Sequence, residues 1–249
     1  MLEIGPFCNP VLRGTHVRYF DVLSTEGLIA RASSLGMRSD TAPWIDYVSP
    51  TGDLSVIPDR FSAVISAHCI EHQPNLVHHL QQVSDLLVDG GRYFLIIPDK
   101  RYCLDHMLSE SNLAEVLHAH AQQDRFHTLD AVIEHRALTT HNDTSRHWRG
   151  DHSDASYATS IVPRARAALA EYEAARDTYI DVHAWQFTPA SFRLIAQSLF
   201  EMGLIRLQVE RVYNTPHGYN EFTAVLGKLD ERPDIASTDD QCVVDGPLP

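Results

Sequence analysis

The sequence predicts an α/β domain whose sheet is mostly parallel and covered by helices on both faces. Three observations carry this. Short apolar runs alternate with amphipathic stretches through the first hundred residues. Runs such as 61–66 (FSAVIS) and 93–97 (YFLII) lack polar alternation, which is how strands buried on both faces read. The same alternation returns after residue 188, beyond a long helical stretch.

Each element follows in order. LEIG at the start reads as a strand that stops at Gly5, and 17–22 (VRYFDV) as a second strand closed by Asp21. Residues 25–35 read as a helix, 44–48 as a third strand and 61–66 as a fourth. In 75–87, Leu76, Leu80, Val83 and Leu87 recur at helical spacing, with Asn75 as N-cap and Asp89-Gly90-Gly91 as the stop. The fifth strand is 93–97. Residues 105–180 change character: helices are predicted over 113–121, 129–138 and 163–179, around a polar, histidine-rich loop at 139–156. Thr188 then caps a helix reaching Met202, with Pro189 in its first turn. Two strands, 205–213 and 221–228, finish the sheet. The expected organisation is a cofactor-binding half (1–104), a helical lid (105–182), a segment completing the same sheet (183–229) and a tail (230–249). Six acidic residues and three prolines in that tail predict disorder, and a segment without apolar periodicity is dispensable for folding.

Composition narrows the function. Lys plus Arg number 20 against 33 Asp plus Glu, a net charge of −13, and such a surface repels a phosphate backbone. Nucleic acid is therefore not the expected partner. The four cysteines are scattered with no CxxC pair, which fits a reducing cytoplasm and gives no structural zinc motif. No apolar run approaches a membrane span, and no signal peptide is evident. A soluble, cytoplasmic protein is expected, with a small-molecule partner and a possible homodimer.

The chemistry starts at Glu3-Ile4-Gly5-Pro6-Phe7. A strand ending in glycine makes a sharp turn at the carboxyl edge of a sheet, where open parallel sheets bind ligands. Asp21, at the end of the second strand, is placed to accept hydrogen bonds from the two hydroxyls of a ribose. A dinucleotide needs GxGxxG, because its pyrophosphate rests on backbone N–H groups. Here Phe7 replaces the second glycine, and Pro6 and Pro10 remove donors. A cationic sulfonium cofactor, by contrast, tolerates a carboxylate such as Glu3 nearby.

LEIGP, VRYFD, FSAVISAHCIEHQPNL and LLVDGGRYFLIIPDKR, in this order, resemble the motif set of class I S-adenosylmethionine-dependent methyltransferases. The nearest pattern is the methyltransferase type 11-like subgroup with EIGP, sHviEH and GG…PDkR. VHAWQFTPASF and NEFTAVL resemble the last helix and closing strand of that subgroup. The resemblance spans roughly residues 1–228. It implies a Rossmann-like, mostly parallel seven-stranded sheet with an antiparallel last strand and a helical insertion after the fifth strand. It implies S-adenosyl-L-methionine as cofactor. Glu3, Gly5, Pro6 and Phe7 match the first cofactor loop, Asp21 and Val22 the ribose position, and Asp46 or Tyr47 the adenine contact. Ser66, Ala67 and His68 match the floor under the methionine end. Two departures stand out. Phe7 occupies a position usually held by glycine, and Met1 lies almost on the first strand, where such enzymes carry a preceding helix. An upstream start, a partner subunit or the insertion would then close the pocket.

The expected reaction is methyl transfer to oxygen or nitrogen of a small molecule, a sugar or secondary metabolite first. The alternative is an inactive methyltransferase-fold partner subunit. His183, His152 and His68 are the candidate bases, since imidazole titrates near working pH without perturbation. His135, His141, His147 and His152 interleave with Asp143 and Asp151, but their spacing fits no standard metal pattern, so no metal site is expected.

Overall fold

The structure, a computed structural model, describes residues 1–229, so the expectations for 230–249 lie outside the described residues. Seven strands form one sheet: β1 (Leu2–Ile4), β2 (Arg18–Asp21), β3 (Tyr47–Val48), β4 (Phe61–Ala67), β5 (Leu87–Pro98), β6 (Leu207–Val212) and β7 (Glu221–Lys228). Their order is β3-β2-β1-β4-β5-β7-β6, and β7 runs antiparallel to both its neighbours. The strand order turns back on itself between β1 and β4, which makes that junction the topological switch point of the sheet.

Seven helices accompany the sheet: α1 (Thr25–Ser34), α2 (Leu76–Leu86), α3 (Leu113–Gln122), α4 (Leu129–Ala137), α5 (Thr144–Trp148), α6 (Tyr157–Ala174) and α7 (Pro189–Glu201). Caps read from sequence are in place. The Asn75 side chain accepts from His78 N and that of Thr188 from Ser191 N, with Pro189 in the first turn of α7. The core joins Leu2, Ile4, Val64, Tyr93 and Leu95 of the sheet to Leu76, Leu80 and Val83 of α2 and to Phe192, Ile195 and Leu199 of α7. A second cluster, Val132, Ala168, Ile180 and Val182, holds α4 to α6 and to the segment after it. No described helix is long and apolar enough to cross a membrane.

Three local readings change. α2 ends at Leu86, ahead of the glycine pair, because buried Leu87 pairs with Phe61 and starts β5. Gly90, at φ +70°, lies within the register shift that follows. α6 starts at Tyr157 instead of Pro163 and stops at Ala174, so the proline lies inside the helix. Tertiary contact outweighs the proline signal: the Tyr157 hydroxyl donates to Leu138 O at 3.2 Å, and buried Ala168 packs within the α4–α6 cluster. The polar loop at 139–156 contains α5, capped by Asp143 accepting from Arg146 N.

The connection from β1 to β2 contains no helix. The Glu3 carboxylate organises it instead. Its two oxygens accept from Val11 N and Leu12 N, each at 2.8 Å, and the side chain is buried. Burial pushes its pKa up, opposed by these two backbone donors.

Candidate functional site

A cavity of about 630 Å³ opens at the carboxyl ends of β1 to β4. That is within the range of sites that enclose a cofactor-sized molecule. Gly5 and Phe7 follow β1, Asp21 to Leu23 follow β2, Pro50 to Gly52 follow β3, and His68 and Cys69 follow β4; all stand in its wall. The parallel register puts these strand ends on one edge, so the cavity sits on the switch point between β1 and β4.

The backbone here is unusual. Gly5 has φ +68°, and a Cβ at that position would stand 3.4 Å from Cys69 Sγ. Phe7 (φ +46°) and His68 (φ +48°) adopt the same left-handed conformation with full side chains. Each pays a steric cost of roughly 1–2 kcal/mol, and strain of this kind gathers at binding sites. The conformation of Phe7 also explains why glycine suits this position in the pattern the sequence resembles.

Asp21 is buried at the wall and accepts from Leu23 N at 3.1 Å. Burial raises its pKa to about 6, in spite of backbone donors that favour the carboxylate. Val22 and His68 stand in the wall with it. The other expected cofactor contacts lie outside the wall and mostly serve other partners. Glu3 is spent on its own loop, as described. Pro6 and Ala67 lie off the wall. Ser66 Oγ pairs with Tyr93 OH at 2.7 Å within the core. Asp46 accepts from Tyr19 N, and the Tyr47 hydroxyl donates to Asp59. Neither Asp46 nor Tyr47, expected at the adenine, stands in the wall; from this stretch Pro50, Thr51 and Gly52 do. β3 covers only Tyr47–Val48, so Asp46 precedes the strand and Tyr47 opens it, whereas the cavity lies at its carboxyl end.

The helical stretch closes one side. Arg125, Tyr179 and Asp181 reach the wall from it. Asp181 Oδ2 lies 2.5 Å from Arg31 Nη2 of α1, and its Oδ1 lies 3.1 Å from His72 Nδ1. None of these was readable as a wall residue from local pattern. The one available signal was Asp181-Val182-His183, two polar side chains flanking a fully buried valine.

Directly under His68 and His72 lies a buried polar cluster. Glu71 is fully buried, and neither carboxylate oxygen has a hydrogen-bond partner among the described residues. His72 Nε2 stands 3.7 Å and His68 Nδ1 3.9 Å from Glu71 Oε1. The His183 ring meets the His72 ring edge-on at 4.7 Å between centroids, and its Nδ1 lies 2.6 Å from Asp105 Oδ2. His135 packs 4.7 Å from His183 and accepts from His183 N through Nδ1. Burial works to lower the pKa of His72, but contact with Asp181 and the charge of Glu71 outweigh it and the net shift is upward. For His68 the hydrogen bond to Glu221 Oε2 at 2.6 Å does the same. For His135 burial outweighs the charge of Asp105 and drives the pKa down to about 3.

Of the three candidate bases, His183 and His68 converge on this cluster, and His152 does not. His152 stacks on His106 at 3.7 Å, and its Nδ1 faces His147 Nδ1 at 3.0 Å. This outer group is pinned by Trp148, which stacks on Tyr102 at 3.9 Å and donates its indole N–H to Tyr219 O. His152 is not in the cavity wall.

No family model matches the chain, and no curated protein sequence matches it. Among solved structures it is similar to the mitomycin 7-O-methyltransferase MmcR, at 11% identity over 91% of this chain and 48% of that one, with a TM-score of 0.41. This chain thus spans about half the length of that protein. It is similar to magnesium protoporphyrin IX methyltransferase (ChlM) from Synechocystis PCC 6803 with bound SAM, at 10% identity over 91% and 68%, TM-score 0.39. A S-adenosylmethionine-dependent methyltransferase from Clostridium acetobutylicum ATCC 824 aligns at 10% identity over 92% and 82%, TM-score 0.42. The sheet ordered β3-β2-β1-β4-β5-β7-β6, with β7 alone antiparallel, is a mostly parallel, Rossmann-like α/β arrangement, and it agrees with the seven-stranded sheet expected from the sequence.

Proposed function

We propose that the cavity binds S-adenosylmethionine and that the chain transfers its methyl group to an oxygen or nitrogen of a small molecule. The observation that carries this is the pairing of Asp21 with the Gly5 turn at the switch point, in a connection that offers no helix N-terminus to a pyrophosphate. A carboxylate at Asp21 suits ribose hydroxyls. Acidic Asp21 and Asp181 in the wall suit a cationic cofactor. An intact wall of this kind gives no support to an inactive partner subunit.

The reaction is a displacement. The acceptor's lone pair attacks the sulfonium methyl carbon, the carbon–sulfur bond breaks with its electrons going to sulfur, and the acceptor's proton leaves to a base. Positioning supplies most of the rate. His68 stands in the wall above the buried cluster, where a proton from the acceptor can be received. A hydroxyl of a sugar or secondary metabolite is the first acceptor class. The test is calorimetry with S-adenosylhomocysteine, S-adenosylmethionine and NAD, followed by transfer of labelled methyl to a panel of hydroxylated sugars. Saturable binding of S-adenosylhomocysteine without NAD binding is the expected result; the reverse overturns the proposal.

A further inference from the structure

We propose that Glu71, His72 and His183 hold a divalent transition-metal cation beside the cavity. The argument begins with an imbalance. A buried carboxylate with no donor is costly unless something cationic compensates it, and Glu71 has two such oxygens. Asp105 Oδ1 is likewise buried and without a partner among the described residues. The ligand atoms of Glu71, His72 and His183 lie within 4.8 Å of one another. Ligands each about 2.0–2.2 Å from one ion stand roughly 3–4 Å apart, and the 3.7 Å between His72 Nε2 and Glu71 Oε1 is already in that range.

The tautomers point the same way. A metal-binding histidine normally gives its other ring N–H to a carboxylate, which fixes the ring and frees the ligating nitrogen. Here His183 Nδ1 makes that contact with Asp105 at 2.6 Å, which leaves its Nε2 with a lone pair. His72 Nδ1 lies 3.1 Å from Asp181 Oδ1 without forming a hydrogen bond, so His72 is held beside a carboxylate with its ring nitrogens unclaimed by any hydrogen bond among the described residues. His68 repeats the arrangement in mirror form, with Nε2 on Glu221 and Nδ1 toward Glu71 at 3.9 Å. Two imidazoles and one carboxylate suit zinc, manganese or iron(II) rather than calcium or magnesium, and of the three His72 stands in the cavity wall. The outer group of His106, His147 and His152 also places three ring nitrogens close together. Its rings are stacked nearly parallel, and His147 Nε2 is taken by His141 O, so its lone pairs converge poorly.

The site's place at the end of β4 gives it a use that rests on the methyl-transfer reading: a Lewis acid there would bind the acceptor's oxygen and lower its pKa. The binding claim stands without that reading. The test uses the full chain freed of metal with a chelator. Zinc(II) and manganese(II) are titrated by calorimetry, and metal content is measured after dialysis. One equivalent per chain is expected, with affinity falling at least about tenfold in Glu71→Gln and in His183→Gln, while a His147→Gln/His152→Gln double variant binds as the parent does. Each variant is checked by circular dichroism. Should the Glu71 and His183 variants not fold, the cobalt(II)-loaded parent decides. Intense visible ligand-field bands that persist in the His147/His152 double variant support the site, and their loss in that variant overturns it. Absence of stoichiometric metal in the parent also overturns it. S-adenosylhomocysteine binding in the same samples separates failure of the metal site from failure of the cofactor assignment.

Discussion

Arg31 of α1 and Asp181, 150 positions later in the chain, meet at 2.5 Å across the cavity wall. Both side chains are partly exposed, at 42% and 38%, so the pair adds no more than about 1 kcal/mol to folding. Its effect should fall on the ligand. Arg31→Ala is expected to leave the unfolding free energy within about 1 kcal/mol of the parent and to raise the dissociation rate of S-adenosylhomocysteine several-fold. Stopped-flow displacement reads the rate, and an unchanged rate shows that the contact does not gate the cavity.

Asp21 gives binding a pH dependence. Its carboxyl titrates near pH 6 because it is buried. Hydrogen bonds from ribose hydroxyls favour the ionised form, so the bound pKa lies lower and affinity is lost as pH falls through 6. Between pH 8 and pH 5 the S-adenosylhomocysteine affinity should fall about tenfold. Asp21→Asn should flatten this profile, and Asp21→Ala should cost about 2 kcal/mol or more of binding at pH 8. For folding the sign reverses: a pKa above the unfolded value means Asp21 favours the native state as pH drops through 6. A pH-independent affinity in the parent would place Asp21 away from the ribose.

His79 sets part of the acid limit. It is fully enclosed, its ring nitrogen lies 3.2 Å from Tyr93 OH, and burial lowers its pKa to about 3. The unfolded chain takes up a proton near pH 6.5 while the native state refuses it. Stability is therefore intact above pH 6.5 and falls by up to about 1.4 kcal/mol per pH unit below it. Urea unfolding at pH 7, 5.5 and 4.5 measures the slope. His79→Gln retains a donor for Tyr93 but does not titrate, and its profile should be shallower than the parent's over this range.

Trp148 is expected to anchor the outer histidine group. Its stack on Tyr102 contributes about 0.5–1.5 kcal/mol and its hydrogen bond to Tyr219 O about 1 kcal/mol. Trp148→Phe should recover the stacking part alone, with Trp148→Ala losing both. Thermal melts of the three proteins give the order parent, Phe, Ala. Equal melts for Phe and Ala would assign the whole effect to the indole N–H.

The parallel part of the sheet was legible because its cause is local. Apolar runs such as FSAVIS, and caps such as Asn75 and Thr188, act within a few residues, and the structure has them where the pattern puts them. The place of Gly5, Asp21 and His68 at the ends of strands was legible for the same reason, since a strand end announces itself, and all three stand in the cavity wall. The loop contacts of Glu3 were not legible, because no local pattern separates a carboxylate that faces a cation from one that satisfies two backbone donors. Pro163 misled because a helix held by packing tolerates it. The Glu71 cluster was invisible because its members, Glu71 and His72, Asp105, His135 and His183, come from four separate stretches, and no spacing within any one of them records the meeting.

The contact between His183 and Asp105 joins positions 78 apart, where the chain leaves the strand layer after β5 and where it returns before α7. The long helical excursion is thereby stapled at its root. Within it, α3 adds Val116 and Ala119 to the core beneath the sheet, whereas α4 and α6 pack on a separate cluster of their own, Val132, Ala168, Ile180 and Val182. The outer helices thus form a module with its own core, tied to the strand layer at one buried contact, while Gly5 and Asp21 belong to the sheet itself.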